Sequence, residues 1–118
     1  MRHFLTLADL TTAELKDILS LATQLKTEWK AGGNAPLLGG KVLGMIFQKP
    51  SLRTRVSFDM AMLHLGGHAL YLSPNEIQLG KRESVADVSR VLSRFVQVIM
   101  ARVFDHADVV ELAKWSSV

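Results

Sequence analysis

The sequence has no cysteine. That excludes a disulfide scaffold, a thiolate zinc site and a cysteine nucleophile. It has no apolar run near the ~18 residues that a membrane-spanning helix needs. Met1 to Asp9 lack the basic start and long apolar stretch of a secretory signal, so an intracellular, cytoplasmic protein is expected. Charge of one sign is also scarce. Fourteen basic residues against 11 acidic ones leave a formal charge of +3 over 118 residues. The basic residues are scattered, whereas a nucleic-acid binder carries a denser stripe, so no nucleic-acid partner is expected. No membrane partner is expected either. Neither GxxxxGK[ST] nor a Rossmann fingerprint occurs, because Gly39-Gly40-Lys41-Val42-Leu43-Gly44 leads into a strand rather than following one.

What is present is apolar material in regular patterns. Hydrophobic residues make up 48% of the chain, well above the range of disordered chains. A chain of this length buries about two thirds of the surface that its unfolded form exposes. Thr11 and Glu14 form a T-x-x-E capping box. Leu15, Ile18, Leu19, Ala22, Leu25 and Trp29 follow at helical spacing, predicting a helix with one apolar stripe. Gly32-Gly33-Asn34 and Pro36 should end it. Lys41 to Phe47 is apolar on both faces, as a parallel strand covered by helices is. Ser51 to Leu65 predicts a second helix and His68 to Leu72 a second strand. Ser73 to Glu83 is expected to be a polar loop. Ser84 and Asp87 cap a third helix, Val98 to Val103 makes a third strand, and Asp105 starts a fourth helix.

The order α-β-α-β-α-β-α implies a three-layer α/β fold, with helices on both sides of a parallel sheet built by right-handed crossovers. The 118 residues are expected to form one domain. Three strands make a thin sheet with open edges, and Ser116-Ser117-Val118 resembles the approach to another strand. The expectation is therefore an incomplete domain from a longer parent.

The informative segment is Lys49 to Phe58. It stands after the first strand and opens the second helix, where open α/β sheets bind ligands. A helix N-terminus carries unpaired N–H groups and about half a positive charge. Ser51 and Thr54 add hydroxyls and Arg53 a guanidinium, a combination that suits a phosphate. Arg53 and Arg55 lie about 200° apart around a helix and cannot both face one ligand. Arg55 is four residues before Asp59, so an intrahelical ion pair is the simpler expectation for it. On these residues alone, a plain Ser51 cap with solvated arginines fits nearly as well as a binding site.

Ser51-Leu52-Arg53-Thr54-Arg55, with Val56-Ser57-Phe58, resembles the S-T-R-T-R-x-S-F signature of the aspartate and ornithine carbamoyltransferases. The likeness runs on through Leu65-Gly66-Gly67-His68, Ile77-Gln78-Leu79-Gly80, Arg90 to Arg94 and Ala101-Arg102-Val103-Phe104. The Leu-Gly-Gly-His and Gln-Leu-Gly segments look like the ornithine branch. The resemblance implies the N-terminal, carbamoyl-phosphate-binding part of an enzyme of arginine and urea-cycle-type metabolism. Such an enzyme transfers the carbamoyl group to the δ-amine of ornithine, giving citrulline and phosphate. Carried over by position, Ser51, Arg53, Thr54 and the Leu52 N–H would hold the phosphate. Leu52 departs from the family's threonine and loses a hydroxyl. Arg102 would reach the phosphate and the carbonyl oxygen, which Thr54 would share. Arg53, Thr54 and Arg102 would thus be the catalytic residues. Gln78 matches a loop position that reaches a neighbouring subunit's site. The family implies no metal and no cofactor, and it implies a homo-oligomer, a trimer when intact. The family's His-Pro-x-Gln motif and its ornithine-binding domain have no counterpart in these residues, so ornithine would bind only through that missing domain. The 118 residues alone are expected to be inactive.

His64, His68 and His106 lack the spacing of a metal site and read as structural or exposed. Lys81-Arg82-Glu83 reads as a solvated, mixed-charge loop. Met45, Met60 and Met62 read as core filler.

Overall fold

Side-chain oxygens start each long helix of the computed structural model, which describes residues 2–118. Helix α1, Thr12–Lys30, begins at Thr11, whose hydroxyl accepts the Glu14 N–H while the Glu14 carboxylate accepts the Thr11 N–H. The Arg2 guanidinium closes on the same carboxylate. Strand β1, Val42–Phe47, leads to helix α2, Leu52–His64, capped by Ser51. Strand β2, His68–Leu72, is followed by a short helix α3, Pro74–Ile77. Helix α4, Val85–Leu92, starts at Ser84; strand β3, Val98–Arg102, follows; and helix α5, His106–Trp115, starts at Asp105.

The sheet has the order β2-β1-β3, and both pairings are parallel. Val42 stands opposite His68, and Leu43 opposite Val98. Central β1 is buried from Leu43 to Phe47. Its side chains alternate between two layers, as a strand's must. Leu43, Met45 and Phe47 pack with Met62 of α2. Ile46 packs with Val85 and Val88 of α4 and Leu112 of α5. The predicted three-layer α/β fold is therefore the observed one. Ser89 is fully buried, and its hydroxyl donates to the Leu112 carbonyl at 2.6 Å, tying α4 to α5. A buried hydroxyl so bonded carries no desolvation penalty left open.

The turn from α2 into β2 depends on Gly66, whose φ is +81°. A Cβ there would meet the Pro36 Cβ at 2.7 Å. The close approach lets the Leu38 N–H reach the Leu65 carbonyl at 2.8 Å.

Several details differ from the sequence reading: Met60, expected in the core, is 39% exposed, and β1 starts at Val42 rather than Lys41. The loop Ser73 to Glu83 contains α3, started by Pro74 and by the Glu76 carboxylate, which accepts the Ser73 N–H at 2.8 Å. Strand β3 ends at Arg102, not Val103. Helix α1 forms as expected but buries none of its residues; Leu19 is 61% exposed and Ile18 49%. Helical periodicity marks an apolar face, but it does not say what covers that face. Trp29 at its end does find a partner, stacking on His64 with ring centroids 3.5 Å apart.

Candidate anion-binding site

Because all three strands run parallel, their carboxyl ends share one edge of the sheet. Phe47 ends β1, and its register partner on β3 is Arg102. Four residues after Phe47 the chain reaches Ser51, extended at φ −158°, and turns into α2. The Ser51 hydroxyl donates to the Thr54 Oγ at 2.9 Å, and its oxygen accepts the Thr54 N–H at 3.4 Å. Among the described residues, the Leu52 and Arg53 N–H groups have no partner. These are the orphan donors that a helix N-terminus offers to an anion. The Leu52 side chain points into solvent, 77% exposed, and Arg53 is exposed beside it.

Arg102 supplies the unusual feature. Its carbonyl accepts the Gln48 N–H at 2.9 Å, which fixes its backbone beside the turn into α2. Its guanidinium Nε is buried and has no hydrogen-bond partner. Buried donors are nearly always satisfied, and a charged one left open is expensive. Arg102 thus leaves, on the strand end next to the turn into α2, a buried donor that the described residues do not satisfy.

The structure thus gathers Ser51, Leu52, Arg53 and Thr54 on one turn and sets Arg102 on the adjacent strand end. Gln78 is placed apart. It follows β2, on the flank of β1 away from β3, and is exposed in the left-handed region at φ +48°. Its backbone carbonyl accepts the Lys81 and Arg82 N–H groups at 2.8 and 3.0 Å. Lys81, Arg82 and Glu83 are all exposed, as the sequence reading expected of that loop.

Arg55 corrects the sequence reading. No ion pair joins it to Asp59; its guanidinium lies over the Tyr71 ring, 3.8 Å from the centroid. For the exposed Arg55 the aromatic face of neighbouring β2 is a better partner than a carboxylate one turn along, since ion pairs at the surface contribute little. Sequence reasoning also missed Gln48, which bridges the turns after β1 and β3. A single glutamine after a strand has no motif, and its partners lie more than fifty residues away. Among the described residues, no group of three or more His, Asp or Glu side chains could hold a metal ion, and no helix is long and apolar enough to cross a membrane.

Phosphate-type anions are the chemistry that two hydroxyls, open helix N–H groups and two arginines select. The family described as aspartate/ornithine carbamoyltransferase, carbamoyl-P binding domain, matches residues 2–118. The chain belongs to the aspartate/ornithine carbamoyltransferase family. An ornithine carbamoyltransferase of Pyrococcus abyssi is 57% identical over 117 residues, which is 99% of this chain and 37% of that protein. The solved ornithine carbamoyltransferase from Pyrococcus furiosus is 56% identical, with a TM-score of 0.95 over 99% of this chain and 37% of that one. The catalytic subunit of M. jannaschii aspartate transcarbamoylase superposes with a TM-score of 0.89 at 30% identity, covering all of this chain and 39% of that one. This carbamoyltransferase domain therefore spans little more than a third of the length of its relatives.

Proposed function

We propose that this chain forms the carbamoyl-phosphate half-site of an ornithine carbamoyltransferase. The observation that carries the reading is the buried, unpartnered Nε of Arg102 beside the capped N-terminus of α2. Ser51, the N–H of Leu52, Arg53 and Thr54 bind the phosphate. Arg102 spans from the phosphate to the carbonyl oxygen, where Thr54 joins it. Arg53, Thr54 and Arg102 are the catalytic residues in this assignment, and Gln78 serves a neighbouring copy's site.

Attack by the neutral δ-amine of ornithine forms the C–N bond and pushes the carbonyl electrons onto oxygen. Arg102 and Thr54 donate to that developing oxyanion. When the carbonyl re-forms, the C–O bond to phosphate breaks and phosphate leaves with the electron pair. Arg53 and the helix N-terminus stabilise its added charge, and the amine proton passes to phosphate or water. No covalent intermediate is needed; positioning and electrostatics supply the catalysis. The ornithine branch is favoured over the aspartate branch by 57% against 30% identity. Ornithine binding is assigned to the length of the relatives that lies outside these residues. The 118 residues are therefore expected to bind carbamoyl phosphate and to make no citrulline. A cytoplasmic homo-oligomer acting in arginine metabolism completes the proposal.

The test is a ¹⁵N–¹H NMR titration with carbamoyl phosphate, with sulfate as the control anion. Two or three charge-assisted hydrogen bonds, less the cost of immobilising the ligand, give a Kd of about 1 mM. Saturable shifts confined to Ser51–Arg55 and Arg102 are expected. A well-dispersed spectrum with no such shifts at tens of millimolar would overturn the assignment.

A further inference from the structure

Gln48 follows β1 directly and is tied at three points to the chain that leaves β3. Its N–H donates to the Arg102 carbonyl at 2.9 Å. Its Oε1 accepts the Phe104 N–H at 2.7 Å. Its Nε2 donates to the Asp108 Oδ2 at 2.9 Å, in the first turn of α5. The neighbouring Lys49 ammonium adds a fourth contact, 5.1 Å from the Phe104 ring centroid. Residues 102–108 are thereby fastened to the turn that leads into α2. The Arg102 side chain has no comparable tie, since its Nε–H is buried without a partner. Its aim is set by its backbone, which the pairing with Phe47 holds from one side and which the Gln48 side chain anchors from the other, through Phe104 and Asp108.

We propose that Gln48 is a positioning residue that holds Arg102 against the N-terminus of α2. The inference rests on the anion-site assignment above and adds to it a residue that does not touch the ligand. The opposite end of the same strand pair offers an internal comparison. There Gln97 accepts the Val42 N–H on its Oε1 at 2.8 Å, and its own N–H donates to the Val42 carbonyl at 2.9 Å. Two glutamines therefore staple β1 to β3, one at each end. Only the Gln48 staple stands at the end that carries the site.

The experiment compares Gln48→Met with Gln97→Met in this chain. Gln48→Met removes the side-chain bonds to Phe104 and Asp108 and keeps the backbone bond to the Arg102 carbonyl, and Gln97→Met removes the side-chain bond to Val42, each at nearly constant volume. Two signals are read: the Arg102 Nε–H cross-peak without ligand, and the Kd for carbamoyl phosphate. Gln48→Met is expected to move or broaden the Arg102 Nε–H peak and weaken binding about tenfold, the worth of one good hydrogen bond. Gln97→Met is expected to leave both within twofold despite a similar loss in denaturant midpoint. Should Gln48→Met fail to fold, Asp108→Asn, which weakens only the Nε2 bond, is expected to show the same two changes at about threefold. An unchanged Arg102 peak and unchanged affinity in the Gln48 variant would overturn the proposal. So would equal weakening by Gln97→Met. If the unaltered chain binds no carbamoyl phosphate, the anion-site assignment fails, and the ligand-free Arg102 peak still decides whether Gln48 positions it.

Discussion

Arg102 keeps a guanidinium N–H buried and unpaired at the end of β3. A donor left in that state costs the fold about 1–3 kcal/mol, and more when charged. The expected signature of Arg102→Met is therefore a separation of stability from binding. The melting temperature should hold or rise, while the carbamoyl-phosphate shifts disappear. Calorimetry and the NMR titration check the two halves. A fall of more than about 4 °C, roughly 1 kcal/mol for a domain of this size, would make Arg102 a structural residue instead. How far single residues were legible follows from how local their partners are. Ser51 and Thr54 were readable because a cap bonds within three residues. Arg55 was misread because its partner, Tyr71, lies on another element. Gln48 was invisible for the same reason, its partners being Phe104 and Asp108.

At the scale of elements, the cap of α1 has a consequence that can be titrated. The Arg2 guanidinium's hydrogen bond, and then the Thr11 N–H, hold the Glu14 carboxyl at about 2, below its ordinary 4.5. A carboxyl whose folded value lies below its unfolded one favours the folded state once ionised. That contribution is complete above the ordinary value and drains away as pH falls from about 4.5 towards about 2. The melting temperature of the parent chain should therefore fall more steeply across that window than that of Glu14→Gln. Both partners are exposed, so added salt should narrow the gap between the two curves. Identical slopes would mean that the cap contributes nothing that depends on charge. The same kind of box, Ser73 to Glu76 with Pro74 between, starts α3. Its signal stood in the sequence, but a four-residue helix lacks the apolar periodicity that betrays a longer one. Conversely, α1 was readable as a helix because it is long and capped, whereas its stripe told nothing of its covering.

For the whole molecule, the sheet ends in two strands that each have one pairing. A cavity of about 580 Å³ is lined by Val98, Ile99 and Met100 of β3, by Phe4 and Leu5 of the N-terminal segment and by Val109 of α5. Val98 is 55% exposed there. Unpaired strand edges template association, and an edge lysine deters it. Sedimentation of the chain is expected to show an average mass that rises with concentration above 13.1 kDa. Val98→Lys should reduce that rise. An oligomer untouched by the substitution assembles through another surface. The α/β order, the parallel sheet and the helix on each side were all readable from alternating patterns. The strand order was not, because nothing local says which strand takes the centre.

That central position of β1 also sets an order of events. Val42 needs only to meet His68, across the turn of α2, whereas Leu43 must find Val98. The second search closes a loop about twice as long, at a cost of about 0.6 kcal/mol more in chain entropy. The β1–α2–β2 unit, with its open helix N-terminus, is thus free to form while β3 is still searching. Arg102 is expected to arrive with β3, so the anion site proposed above would gain its helix N-terminus first and its strand-end arginine last.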